Sequence, residues 1–585
     1  MSSKAFDYVV VGGGASGLVV AARLAENPSV TVCVLEAGQD ITHELDIEVP
    51  GFAMKNWTKD PDWTFMSVPQ AAANDRSIYI PRGKGLGGSS IINLMSLGRA
   101  PAHEYDAFET LGAKGWNSKE LLKYFKKSQT LAYDPELVKA LGLKPSPDGH
   151  GNGPIINTLG RTSVDFYPQL VKACQEVGVP FNANAIGGEN IGVWPSACAI
   201  HPETVTRIST ASAYYEPIKG QGNLIVITGA RATRVIFQKN VSSKGVVADG
   251  VQYSKDGQLL VVSAKKEVIL AAGSILTPQI LEVSGIGDKS ILQAYKIPTV
   301  VDLPGVGRNF QVSEDRLGDL NAGYESFDVL FDPERAAKEW TLYEQEKRGL
   351  LSSLPYTFSF VPLKTFAQGD AMRKAAASLQ VGNIHPGSFK ILQSWLKDDS
   401  NKISQLENIL VAAFIPTVVQ AAPEPGKSYL SFSLNVAHPF ARGSIHIKSN
   451  DPLVLPDIDL SVLDNPVDLA ILLDSLKFAR KLVKTDALKG LVNKEVAPGP
   501  GVQSDAELEE YIKNQVSTSF HPLGTASMLP RAEGGVVDSE LKVYGTANLR
   551  VVDASIIPIQ IATHPIATVI AIAEKAADII KFASA

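Results

Sequence analysis

Cysteine is scarce: 585 residues hold only Cys33, Cys174 and Cys198, with no CxxC pair and no Cys/His cluster. Neither a disulfide framework nor a structural zinc site is supported, and no metal is expected. Long hydrophobic runs are missing too, since no stretch approaches the ~18 uninterrupted apolar residues of a membrane span. There is no basic excess. Lys+Arg number 55 against 61 Asp+Glu, for a formal charge of −6, which removes nucleic acid as a partner. Internal repeats and low-complexity tails are absent. Met1-Ser2-Ser3-Lys4 runs straight into an apolar strand and leaves no room for the parts of a signal peptide. A cytoplasmic protein is therefore expected, with no membrane contact and with the sequons at Asn56 and Asn240 unused.

What is present is ordinary globular composition, 45% hydrophobic and 20% charged with 48 Gly and 35 Pro. That excludes collagenous, disordered and coiled-coil chains. The length suggests three or four compact units at ~100–200 residues each, fewer if domains intertwine.

Phe6 to Val11 is an apolar run, followed by Gly12-Gly13-Gly14-Ala15-Ser16-Gly17 and a helical pattern through Leu24. In a GxGxxG turn the first glycine permits the tight bend, the second admits a pyrophosphate, and the third lets helix pack on strand. The helix N-terminus adds N–H groups without partners. A second strand, Val30 to Leu35, ends at Glu36, whose carboxylate can accept both ribose hydroxyl hydrogens of an adenosine group. The whole βαβ unit points to a dinucleotide. The acidic residue repels a 2′-phosphate, so FAD or NAD is preferred over NADP.

Two further stretches are rich in glycine. Arg82 to Asp106 reads RGKGLGGSSIINLMSLGRAPAHEYD, and Gly273 to Gly287 reads GSILTPQILEVSGIG after the apolar strand Glu267 to Ala271. By composition alone the first is a surface loop and the second a plain strand-to-helix connection. Together with the N-terminal unit they make the chain resemble the glucose–methanol–choline (GMC) family of FAD-dependent oxidoreductases, in particular its fungal alcohol oxidase and dehydrogenase branch. The second stretch matches that family's signature throughout. The first departs at Leu97, where an aromatic residue or Ala is usual.

The resemblance selects FAD and implies a Rossmann-like α/β FAD-binding domain with a discontinuous α+β substrate-binding domain of antiparallel sheet and helical lid. The expected division is 1–40, 80–110, 215–315 and 530–585 for FAD, and 41–79, 111–214 and 316–529 for substrate and lid. Gly12, Gly14, Ala15, Ser16, Gly17, Glu36 and Ala37 would hold the ADP half, with Ala232 near the adenine. Arg82, Gly87, Gly88, Ser90 and Asn93 would lie along the pyrophosphate and flavin. Some relatives join flavin covalently to a histidine before the asparagine; Ile92 stands there, so the FAD should be non-covalent.

The C-terminal block carries Phe520-His521-Pro522-Leu523-Gly524-Thr525 and then VVDASIIPIQIATHPIATVIAIAEKAADIIK from Val551 to Lys581. Spacing alone does not bring His521 and His564 together; the resemblance makes them the catalytic pair before the flavin. Gly535, Asp553 and Ala554 would belong to the flavin-contacting strand and turn, although Asp553 could equally cap the segment after it. Pro565 cannot donate a backbone N–H, so Ile566 or Ala567 must serve the flavin there. A neutral imidazole with a pKa near ~6.5 can take a hydroxyl proton at cellular pH. The expected reaction is oxidation of a small organic alcohol, aryl or metabolite, to its carbonyl. His521 takes the proton, hydride passes to flavin N5, and electrons go on to O2 or another acceptor.

Formate is disfavoured because His564 occupies the place where a cation such as Arg would clamp it. A lyase or cyclase that keeps FAD structurally is the alternative. Val306 to Asp315 departs from the family pattern, so the local flavin contact or domain crossover is expected to differ. Between ~320 and ~430 the composition shifts to polar helices, read as the lid, with Ala336 to Lys347 a solvated face. Tyr214, Trp395, Phe414 and Phe440 are candidate pocket aromatics.

Overall fold

A computed structural model describes residues 5–583 except 147–148, 161–164, 244, 312–313, 316, 323, 355, 368 and 416–422. Strand β1 (Ala5–Val11) is buried from Tyr8 onward, as a run with valines on both faces must be at the centre of a parallel sheet. The chain turns through Gly12–Ser16 into α1 (Gly17–Ala25), where every residue except Arg23 is buried. It returns as β2 (Val32–Leu35), and β3 (Leu224–Ile227) extends the sheet in parallel. Strands β4 (Arg231–Ser242), β5 (Gly245–Lys255) and β6 (Gln258–Leu270) form an antiparallel meander whose last strand returns to pair in parallel with β1. The order is β4-β5-β6-β1-β2-β3, and α2 (Gly273–Val283) follows β6.

The chain then builds a second, antiparallel sheet from β7 (Leu317–Ala322), β8 (Tyr356–Pro362), β9 (Ser404–Val411), β10 (Ser428–Val436) and β11 (Val492–Glu495), in the order β8-β9-β10-β7-β11. Finally β12 (Leu549–Val551) joins β6 in parallel, and α3 (Ile566–Ala583) closes the fold. The Glu574 carboxylate of α3, fully buried, accepts from Arg23 of α1 at 2.8 and 2.9 Å and from the Tyr214 hydroxyl at 2.9 Å, tying the two ends of the chain together.

The registers explain where a site must form. Ile227, Leu35, Val11, Leu270 and Val551 stand in one row across β3, β2, β1, β6 and β12. The residues just after each strand, including Gly12, Glu36, Ala271 and Val552, therefore emerge along one edge. In open α/β sheets that carboxyl edge is where ligands bind.

Residues 320–430 differ from the sequence expectation. Helices Pro333–Glu346 and Pro386–Leu396 are present. Between them, however, lies β8 (YTFSFVP), and β9 (SQLENILV) follows the second, every residue of β8 and all but one of β9 buried. Both are short runs rich in aromatic and aliphatic residues, which suit a covered sheet better than a polar lid. The helix read as a solvated face also packs on one side: Tyr343 is 2% exposed and its hydroxyl donates to the Val205 carbonyl at 2.9 Å. Among the described residues no helix is long and apolar enough to cross a membrane.

Candidate active site

One cavity reaches from the carboxyl edge of the first sheet to the face of the second. At the first sheet, glycines permit approaches that no side chain would allow. A Cβ on Gly17 would stand 1.9 Å from the Gly12 carbonyl oxygen, and one on Gly12 2.5 Å from the Ala271 oxygen. A Cβ on Gly88 would stand 2.7 Å from Gly14 Cα, so the two glycine loops meet backbone to backbone. Glu36 lines the cavity at 6% exposure, its oxygens accepting from Gly13 N–H and Gly38 N–H, each at 2.8 Å. Burial pushes its pKa up to about 7. A carboxylate has about four acceptor sites, so capacity remains for the two hydroxyl hydrogens of a ribose. This cradle fits the nucleotide half of FAD.

Of the residues singled out in the sequence, Gly12, Gly14, Ala15, Ser16, Glu36, Ala37, Arg82, Gly88, Asn93, Ala232, Asp553, Ala554, Pro565 and Ile566 line the cavity, as do His521 and His564. Gly17, Gly87, Ser90 and Gly535 do not. Gly17 seats α1 against the turn. Gly87 donates its N–H to the Gly13 carbonyl at 2.8 Å, and the Ser90 hydroxyl donates to the Gly87 carbonyl at 2.6 Å while accepting from Thr210 N–H. Asp553 uses its carboxylate as a cap. It accepts from Gly273 N–H at 2.9 Å, the Thr277 hydroxyl at 2.6 Å and Ser555 N–H at 2.9 Å. Pro565 and Ile566 open α3 directly at the cavity.

Of the departing stretch at 306–315, Val312 and Ser313 lie outside the described residues. Gln311 bonds both chain segments that carry the histidines: its N–H donates to the Leu523 carbonyl at 3.0 Å, and its side-chain oxygen accepts from Gln560 N–H at 2.9 Å.

The two histidines, far apart in sequence, bring their rings to 5.1 Å centroid to centroid. His521 follows Phe520, which takes a left-handed φ of 64° and wedges edge-on against Trp57. The His521 Nδ1 lies 3.3 Å from the Ser519 hydroxyl. His564 packs on Phe358 at 4.7 Å and places Nε2 3.2 Å from Glu407 Oε1. Its approach loop is held at the Ala562 peptide, whose N–H donates to Glu104 Oε2 at 2.6 Å and whose carbonyl accepts from Asn190 at 2.5 Å. Glu104 itself is fully buried, with His438 Nε2 at 3.2 Å.

Burial lowers the His564 pKa to about 4. His521 is driven well below 6.5 by burial first, then by the adjacent His564 and by Arg82. Arg82, lowered to about 10 by burial, spends its guanidinium on the Pro81 and Phe520 carbonyls. The pair therefore stands as two neutral imidazoles at pH 7, able to accept a proton in a water-poor cavity.

The expected pocket aromatics are corrected. Tyr214 binds Glu574, Trp395 packs tilted against His438 at 4.5 Å, Phe414 packs on Tyr429, and Phe440 donates its N–H to Asp468. None of them lines the cavity; Trp57, Tyr356, Phe358 and Phe520 do. Aromatic content carries no address, and these four were core. Glu407 was missed as well, although a lone carboxylate inside the apolar run SQLENILV was a readable signal.

A dinucleotide cradle opening on a half-buried histidine pair beneath an antiparallel sheet defines a flavin-type oxidoreductase. The family model of GMC oxidoreductases matches residues 6–314 and again 439–573, and the chain belongs to that family. It is an FAD-dependent oxidoreductase acting on CH–OH donors. It is 34% identical to the dehydrogenase mpl7 of Monascus purpureus, over 98% of this chain and 96% of that one. An FAD-dependent oxidoreductase from Chaetomium thermophilum superposes with a TM-score of 0.90 at 29% identity, and a fungal aryl-alcohol oxidase with 0.87 at 30%, each covering 99% of both chains.

Proposed function

We propose that the chain oxidises a neutral small organic alcohol to its carbonyl with non-covalently held FAD, passing the electrons to O2 or another acceptor. The observation that carries this reading is the pair of half-buried, neutral imidazoles 5.1 Å apart at the sheet-covered end of a dinucleotide cradle. Glu36 would hold the ribose, the Gly14–Gly88 floor the pyrophosphate, and Asn93, Pro565 and Ile566 the flavin edge. Ile92 offers no nucleophile for a covalent link. The division of the chain given above, FAD-binding segments interleaved with substrate-binding ones, is part of the same proposal. When bound, FAD supplies the two-electron acceptor for the hydrogen on the carbinol carbon.

The protein's own residues manage the proton. With Nδ1–H of His521 turned to the Ser519 hydroxyl, Nε2 carries the lone pair and takes the substrate hydroxyl proton. Glu407 Oε1 lies 3.2 Å from Nε2 of His564 without hydrogen-bonding geometry, so the carboxylate acts on that ring through its field, and a nitrogen of His564 would bond the substrate oxygen. Phe358 and Ile409 exclude water around the rings, which strengthens each polar contact inside.

The test is His521→Ala. It should keep its yellow cofactor while anaerobic bleaching by alcohol slows by about 10²–10⁴-fold, the usual share of a general base. Undiminished bleaching would overturn the assignment.

A further inference from the structure

The second sheet presents an ordered face to the histidines. Period-two alternation places Tyr356 and Phe358 of β8 on one face, and Glu407, Ile409 and Val411 of β9 likewise. The cross-strand registers stack these into rows: Phe360–Glu407–Asn435, then Phe358–Ile409–Ser433, then Tyr356–Val411–Ser431. The first row carries the carboxylate that faces His564, and the second carries Phe358, against which the His564 ring packs. The third carries Tyr356. This residue lines the cavity at 8% exposure, and its phenol makes no hydrogen bond to any described residue. The hydroxyl is not sealed off but opens on the cavity, where it is free to bond a ligand oxygen. Around it the sheet wall is apolar apart from the Ser433 hydroxyl, which has a partner of its own. Its one carboxylate, Glu407, is turned to His564, and the guanidinium of Arg82 is committed to carbonyls.

We infer that Tyr356 is a substrate-anchoring residue, and that the substrate is a neutral aromatic alcohol carrying a second hydrogen-bonding oxygen on the far side of its ring. This rests on the proposed alcohol oxidation for the placement of the carbinol at the histidines. The span follows from the strand: Phe358 to Tyr356 is two residues, roughly 7 Å at ~3.3 Å each, the width of one para-substituted ring. The ring lies against Phe358, Ile409 and Val411, which supply a flat apolar slot. A site built to hydrogen-bond one group discriminates against the analogue lacking it, because the protein's own polar atom is then left unpaired.

The experiment pairs wild type with Tyr356→Phe, both holoenzymes with matching flavin spectra, against benzyl alcohol and 4-hydroxybenzyl alcohol. Tyr356→Phe should raise the ratio of KM for 4-hydroxybenzyl alcohol to KM for benzyl alcohol about tenfold, with the ratio of their kcat values nearly unchanged. Electronic effects of the para substituent cancel, since each substrate is compared with itself. Equal changes for both alcohols, or none, overturn the inference.

A binding arm uses the unreactive product mimics acetophenone and 4-hydroxyacetophenone, followed by their perturbation of the flavin spectrum. Wild type should favour the hydroxylated ketone and Tyr356→Phe should not. Equal affinities in wild type overturn the anchor even if no alcohol is turned over. Absence of bleaching by any alcohol, with the ketone preference intact, overturns the proposed reaction and spares the anchor.

Discussion

The acid limb of catalysis tests the site most directly. Burial holds the His564 pKa at about 4 and drives His521 well below 6.5, with His564 and Arg82 pushing in the same direction. At pH 5 a group of pKa about 4 is about 90% neutral, whereas an imidazole at the ordinary ~6.5 is about 3% neutral. The difference is roughly thirtyfold in available base. The rate of anaerobic flavin bleaching per unit alcohol should therefore stay flat from pH 8 down to about 6 and fall only on the acid side of pH 5. Because the two rings interact, the limb belongs to the pair and not to either ring alone.

Glu407 supplies a control. Its carboxylate 3.2 Å from Nε2 favours the cation, so Glu407→Gln should carry the limb further to acid. Stability follows the same sign. His564 is depressed from ~6.5 to about 4, so its contribution is complete above pH 6.5 and is lost as pH falls through 4, about 3 kcal/mol in all. A limb near 6.5 in wild type would show that the carboxylate outweighs burial, and the neutral-base reasoning would fall.

Three further outcomes follow from the geometry. Gly88→Ala places a Cβ 2.7 Å from Gly14 Cα at a φ of +51°, a strain of about 1–3 kcal/mol. The folded protein should purify pale, with FAD retention down about tenfold or more by absorbance ratio; full colour would refute the shared floor. Glu104→Leu releases the Ala562 N–H two residues before His564, and kcat should drop by about 10²-fold with FAD still bound. Glu104→Gln, whose amide oxygen still accepts, should recover most of it; equal defects in both would mean that the clamp is not what Glu104 supplies. Glu574→Ala leaves Arg23, 22% exposed, without its buried partner. Denaturant titration should show a loss of about 2–4 kcal/mol, below the full cost of breaking a sealed ion pair; a change under about 0.5 kcal/mol would refute the lock between α1 and α3.

The nucleotide half was legible because each of its constraints is local. Gly12, Gly14 and Gly17 answer to a turn of six residues, and Glu36 to the end of the next strand. His521 and His564 were legible through their flanks, His-Pro-Leu-Gly-Thr and Thr-His-Pro, and not through any spacing between them. The substrate chamber was opaque for a physical reason. Its wall is a set of cross-strand rows, and the partners within a row, such as Phe358, Ile409 and Ser433, are set by register between segments tens of residues apart. An aromatic residue on such a strand reads the same whether it faces the cavity, as Phe358 does, or the core, as Phe432 of β10 does. The Asp553 alternatives also dissolve once the fold is assembled. The residue borders the cavity through its position and caps α2 through its carboxylate.

The protonation state of the pair also weighs against a lyase or cyclase that would use the two rings as its acid and base. Elimination or cyclisation that used the two rings as acid and base at once would need one imidazole to arrive charged. Here burial lowers both rings, and the Coulomb repulsion of His564 lowers His521 further. At pH 7 the site offers base and no imidazolium, and protonating one ring makes protonation of the other harder still. Such a pair takes up a single proton per turnover, which is what removing a hydroxyl hydrogen requires while the carbon-bound hydrogen leaves by another route. Anaerobic mixing of holoenzyme with alcohol reads this out. Fading of the yellow colour with release of one carbonyl per flavin supports the single-proton site. Turnover that leaves the colour untouched would place a charged imidazole where the structure puts a neutral one.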